Sequence, residues 1–159
     1  MLRLLWLSGL VIVLDQLTKF WIMARFDEYE VLVVWPVFNL TLVYNTGAAF
    51  SFLSDAGGWQ RWFFIGLASV VSLAMVLWMR QLQPRERLTG YGLSLVVGGA
   101  IGNVIDRIWL GKVVDFLQWH WEGWYWPSFN IADSAITLGV ILLLIDGLRA
   151  GPESQESAS

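Results

Sequence analysis

Between Gly98 and Gly139 the chain reads GGAIGNVIDRIWLGKVVDFLQWHWEGWYWPSFNIADSAITLG, and this stretch carries Asn103, Asp106, Arg107, Asp115, Asn130 and Asp133 with apolar sequence on either side. Asp115 follows Val113 and Val114 and precedes Phe116, a poor setting for a lone carboxylate. A salt bridge to Lys112 or Arg107 would be its bland role. Asp133 opens an apolar run, where an acid can simply cap a helix and face its dipole. Together the two acids offer more. Carboxylates brought close cannot both ionise easily, so the pair shares a proton. Such a pair can activate water as a base and protonate a leaving group as an acid. That chemistry hydrolyses a peptide bond with neither a metal nor a covalent intermediate.

Other chemistries find little to work with. There is no Cys, which removes disulfides, thiol catalysis and Cys-bound metals. The single His, His120, cannot build a multi-histidine metal site. A Ser–His–Asp triad would need that same His120, which sits in a Trp-rich stretch where an interfacial role fits better. A Ser–Lys dyad has only Lys19 and Lys112 to draw on. No HExxH motif is present. No metal and no cofactor is therefore expected. The net charge of −3 contains no basic run, so nucleic acid is not an expected partner.

Elements must position these residues, and composition says where. Hydrophobic residues make up 57% of the 159 positions and charged residues 14%, too little charge for a soluble domain. Four apolar runs, 4–24, 59–79, 88–105 and 131–149, are long enough to cross a bilayer. Arg3 before the first run imitates a signal peptide. No small-residue cleavage site follows, however, and Asp15 and Lys19 interrupt it, so it reads as a retained helix. Asp15 and Lys19 are four apart and share a helix face. They can form a structural ion pair or mark function, as charges within spans do.

Segment 29–55 reads as a small sheet lying on the membrane, because an open sheet edge cannot sit in lipid. Phe38, Leu40, Leu42 and Tyr44 alternate with Asn39, Thr41, Val43 and Asn45, the period of a strand with one greasy face. Asn45 and Gly47 begin NTGAAF, where small residues permit close backbone approach. Gly98, Gly99 and Gly102 suit the third run to close helix packing. The Trp residues at positions 21, 35, 59, 62, 109, 119, 121, 124 and 126 lie at or beyond the ends of apolar runs, as an interfacial belt would. Residues 1–150 read as one domain, and the polar tail 151–159 as disordered.

The short loop bearing Arg80, Arg85 and Arg87 marks the cytoplasmic side, and four spans put both termini there. Asp15 lies about 16 Å along the first helix, at mid-depth or slightly outward. Asn45, Asn103, Arg107, Asn130 and Asp133 then collect toward the outer face. An ion path through a transporter or channel is the alternative reading of these intramembrane acids, but it would distribute them through the depth.

Five motifs, taken in order, resemble one family: DQLTK at 15–19, NTGAAF at 45–50, GAIGNVIDR at 99–107, VVDF at 113–116 and FNIADS at 129–134. The sequence resembles lipoprotein signal peptidase (signal peptidase II), the bacterial membrane aspartyl peptidase, over most of its length. The resemblance implies four transmembrane helices, an all-α membrane fold with a small periplasmic β-sheet cradle and an outer loop over the site. It implies a multi-pass protein of the bacterial inner membrane that cleaves diacylglyceryl-modified prolipoproteins just before the lipidated Cys. Asp115 and Asp133 match the catalytic pair. Asp15, Asn45, Asn103, Arg107 and Asn130 match residues that support the site or contact substrate, and Lys19 and Gly47 are grouped with them. Membrane lipid and globomycin-type inhibitors are the further partners expected, and the protein is expected to act as a monomer.

Overall fold

A computed structural model describes residues 1–47 and 57–149. Ala48, Ala49 and Phe50 of the NTGAAF motif, the rest of the expected cradle to residue 55, and the tail 151–159 lie outside the described residues. A short 3-10 turn, Leu2–Leu4, leads into α1 (Leu5–Met23). Strands β1 (Val31–Trp35) and β2 (Phe38–Asn45) follow, then α2 (Trp59–Gln81) and α3 (Arg87–Trp109). Strands β3 (Val113–Trp121) and β4 (Trp124–Tyr125) precede α4 (Ile131–Arg149). Among the described residues, four helical segments are long and apolar enough to cross a membrane, and they coincide with the four expected spans. The third runs four residues further than the apolar run itself. Asn103, Asp106 and Arg107 thus sit on the last turns of α3, not in a loop.

Helix α3 is largely buried, whereas α1, α2 and α4 expose most of their surface. It packs against all three. Its sequence explains this, since glycine and serine let neighbouring backbones approach. A Cβ on Gly139 of α4 would lie 2.6 Å from the Gly92 carbonyl oxygen and 2.7 Å from Val96 Cγ2. Backbone cannot give way as a side-chain tip can. Gly139→Ala is therefore expected to destabilise the detergent-solubilised protein by ~1–3 kcal/mol, the usual cost of overpacking. Gly147→Ala, with nothing within 4 Å of the new methyl, is the control. Equal melting temperatures for the two variants would contradict the close α3–α4 contact.

The strands form one antiparallel sheet in the order β1-β2-β3-β4. Pro36 and Val37 make the β1–β2 turn, a place where a missing N–H costs nothing. Glu122 and Gly123, with φ of 47° and 84°, make the tight β3–β4 turn, whose two left-handed positions favour glycine. The Trp-rich stretch around His120 is therefore mainly strand. Ile22, Leu42, Val114 and Phe116 form a buried cluster that seats the sheet on the end of α1. The greasy face expected on β2 is present, but Asn39 and Thr41 on its other face are buried too. Asn39 donates to Gln118 Oε1 on β3 at 3.1 Å.

Candidate active site

Each acid is carried by a different kind of element. Asp115 stands third in β3, and the pairing of Val43 with Asp115 and Asn45 with Val113 sets Asn45 diagonally across from it. Their side chains share a face, and Asn45 Nδ2 donates to Asp115 Oδ2 at 3.1 Å. Asp133 stands in the first turn of α4. Asn130 caps that helix: the Asp133 N–H donates to Asn130 Oδ1 at 2.8 Å, and the Asn130 N–H donates to Asp133 Oδ2 at 3.3 Å. This reciprocal pattern is a capping box with an aspartate in the position glutamate usually holds.

Asn130 joins the two acids. Its side-chain amide donates to Asp115 Oδ1 at 2.8 Å while its backbone and carbonyl hold Asp133. It is fully buried, and so is Asp115, at 2% exposure. Asn103 continues the chain of contacts. Its Nδ2 donates to Asp133 Oδ1 at 2.8 Å, and its Oδ1 accepts from Lys19 Nζ at 3.0 Å and Asn130 Nδ2 at 3.2 Å. Asp115 and Asp133 both line a cavity of about 750 Å³, together with Asn45, Asn103 and Arg107. That volume lies within the range of ligand-binding pockets. Burial, and next the charge of Asp133, push the Asp115 carboxyl up from its ordinary 3.8 to about 7, against the hydrogen bonds from Asn45 and Asn130 and the positive charge of Lys19. Neither Lys112 nor Arg107 forms an ion pair with Asp115; Lys112 Nζ instead lies 3.4 Å from the centre of the Tyr44 ring.

Asp15 and Lys19 meet as their spacing predicts, at 2.8 Å, and both are buried. Asp15 Oδ1 also accepts the Ala132 N–H at 2.9 Å, which ties α1 to the start of α4. Asp106, which was not among the expected site residues, closes the set. It pairs with Lys19 at 2.8 Å, accepts from Gln16 Nε2 at 2.8 Å, and accepts the Val114 N–H at 3.1 Å, one residue before Asp115. The available signal was its place one helical turn after Asn103 in an apolar span. Arg107 donates to the Gly47 carbonyl at 2.8 Å and faces the Phe64 ring at 5.1 Å. Its Nε is buried without a hydrogen-bond partner among the described residues. All nine expected site residues thus lie in one connected region at the sheet end of the helices.

Four apolar helices and a small sheet seated on their ends define a multi-pass membrane protein, with two buried carboxylates on one cavity. The sequence signature of signal peptidase (SPase) II matches residues 7–149. A lipoprotein signal peptidase of Pseudoalteromonas atlantica is 51% identical over 145 residues, 91% of this chain and 88% of that protein. The one from Pseudomonas aeruginosa is 51% identical over 148 residues, 92% of this chain and 88% of that protein. A solved bacterial membrane enzyme superimposes with a TM-score of 0.86 at 32% identity, covering 95% of this chain and 90% of that one. The chain belongs to the signal peptidase II family. It is a protease of the bacterial inner membrane that removes signal peptides from lipoproteins.

Proposed function

We propose that Asp115 and Asp133 are the catalytic pair, and that the enzyme cleaves diacylglyceryl-modified prolipoproteins immediately before the lipidated Cys. The observation that carries this reading is Asn130, which binds both carboxylates at the wall of one cavity. Asp115 holds the shared proton near neutral pH and Asp133 is ionised. Asp133 takes a proton from water as the water oxygen attacks the scissile carbonyl, and Asp115 gives its proton to that carbonyl oxygen. When the tetrahedral intermediate collapses, the C–N bond breaks and the proton on Asp133 passes to the departing amine. The hydroxyl proton returns to Asp115. The buried Arg107 Nε, unpartnered among the described residues, is available to a substrate backbone carbonyl.

Substrate arrives within the membrane on its own signal helix. The cavity wall runs down α4 past Ile136, Thr137 and Leu138. Below it Ile141, Leu144 and Leu148 leave an exposed apolar face against which that helix can lie. The arginine-bearing α2–α3 connection and both termini are cytoplasmic and the carboxylates lie at the outer face, where water reaches the bond. The lipid on the Cys anchors the other side of the scissile bond. The enzyme works as a monomer, and peptide inhibitors of the globomycin type occupy the same cavity.

Gel-shift assays in detergent test the substrate assignment. A prolipoprotein carrying diacylglyceryl on the lipobox Cys should be cut, and the same protein without lipid should not. Equal cleavage of both would remove lipid from the recognition. The pH profile tests the shared proton. Because the Asp115 value is raised, the protonated form persists from 3.8 up to about 7 and is lost above it. Turnover is therefore expected to fall tenfold per pH unit above an apparent value near 7 that belongs to the pair. A rate that stays level well above that value would contradict it.

A further inference from the structure

We infer that the end of the molecule opposite the carboxylates holds the phosphate of an anionic phospholipid headgroup between Arg3 and Arg87. A second cavity, of about 240 Å³, lies there, lined by Met1, Arg3, Leu4, Trp6, Arg87 and Tyr91. It is smaller than a drug-sized pocket, so it takes a headgroup phosphate and its immediate glycerol and leaves the rest of a lipid outside. Among the described residues the only ion pairs are those of Lys19, so none of those residues neutralises Arg3 or Arg87. The acids nearest in sequence or at the same helix ends are otherwise engaged. Glu86 Oε2 accepts the Gln83 N–H at 2.6 Å, and Asp146 accepts from the Thr89 hydroxyl. Two guanidinium groups facing one small cavity select a phosphate, which each can bind through paired N–H donors.

A second observation identifies a lipid as the source. Trp6, at the cavity, begins a row with Leu10, Val13, Leu14 and Leu17, spaced to lie on one face of α1. Every member of the row is at least 44% exposed. An uncovered apolar stripe running from a cationic cavity into the bilayer matches a molecule with a phosphate at one end and acyl chains at the other. Trp6 and Tyr91, 61% and 39% exposed, are the residue types that settle at the headgroup level. Basic pockets between membrane helices are recognised headgroup sites in general. Among the described residues no carboxylate lines the cavity to receive an ammonium group, so an anionic headgroup is favoured over a zwitterionic one.

Native mass spectrometry of the full-length protein in detergent, titrated with phosphatidylglycerol, phosphatidylcholine of the same acyl chains, or inorganic phosphate, tests this. Phosphatidylglycerol should bind, and Arg87→Gln should weaken it roughly fivefold and Arg3→Gln with Arg87→Gln about 25-fold. Arg3→Lys with Arg87→Lys should keep most of the binding, and Arg25→Gln, outside the cavity, should leave it unchanged. The lysine pair also serves if the glutamine pair fails to fold, because it must still prefer phosphatidylglycerol. Equal affinity for phosphatidylcholine, no loss in Arg87→Gln, or an equal loss in Arg25→Gln would overturn the site. Displacement of the lipid by inorganic phosphate alone would make it a free-anion site and overturn the lipid assignment.

Discussion

Asp115→Asn and Asp133→Asn are each expected to lower single-turnover cleavage of a lipidated prolipoprotein by at least ~10³-fold, toward the upper end of what a positioned acid or base contributes. The amide is nearly isosteric with the acid, and one oxygen remains to accept from Asn130 or Asn45. What is lost is the proton exchange. In the proposed mechanism both acids act in the same step, so the double variant should be no slower than either single one. Melting temperatures of the single variants should stay close to that of the parent, so loss of turnover would not reflect unfolding. A single variant that keeps a tenth of its turnover would leave the other carboxylate acting alone, contrary to the pair.

Lys19→Met is expected to be the most damaging change to stability. Lys19 is 1% exposed and, among the described residues, is the only cation paired with Asp15 and Asp106, which are 0% and 2% exposed. Removing it leaves two carboxylates without a counter-charge in the membrane region. Breaking a buried pair in this way costs ~3–5 kcal/mol. Those acids hold the Ala132 and Val114 N–H groups, next to Asp133 and Asp115, so the loss should also loosen the catalytic geometry. Neutralising the acids as well, with Asp15→Asn and Asp106→Asn, should recover much of the stability. Thermal unfolding in detergent measures both. A Lys19→Met protein as stable as the parent, or a triple variant less stable than Lys19→Met alone, would show that this ionic set is not what joins α1 to α3 and α4.

How far the sequence could be read follows from which forces leave a local trace. The helices are legible because the bilayer imposes length and hydropathy on a contiguous run. The end of α3 was not, because Asn103, Asp106 and Arg107 break the apolar pattern without breaking the helix. Alternation exposed β2, whereas β3, with aromatic residues on both faces, lay outside the sheet expected at 29–55. That strand matters most to the site, since its register against β2 puts Asn45 beside Asp115. Periodicity carries no information about such a pairing across 70 positions. Asp115 and Asp133 stood out as acids in apolar settings, whereas the roles of the supporting amides came from the family motifs. Asn130 illustrates the limit: its place before an apolar run reads as a helix cap, which it is, and nothing local reveals that its amide also reaches Asp115. Asp106 was passed over because its partners, Lys19, Gln16 and the Val114 N–H, all come from other elements.

Infrared difference spectroscopy across a pH titration tests the shared proton most directly, through the C=O stretch of a protonated carboxyl. In the parent enzyme that band should persist far above the ordinary value of 3.8 and disappear around pH 7. It should be missing from Asp115→Asn and should titrate at lower pH in Asp133→Asn, where the neighbouring charge is gone. A parent enzyme with no carboxyl protonated near neutrality, or a band that Asp115→Asn leaves intact, would contradict a proton held between these two acids.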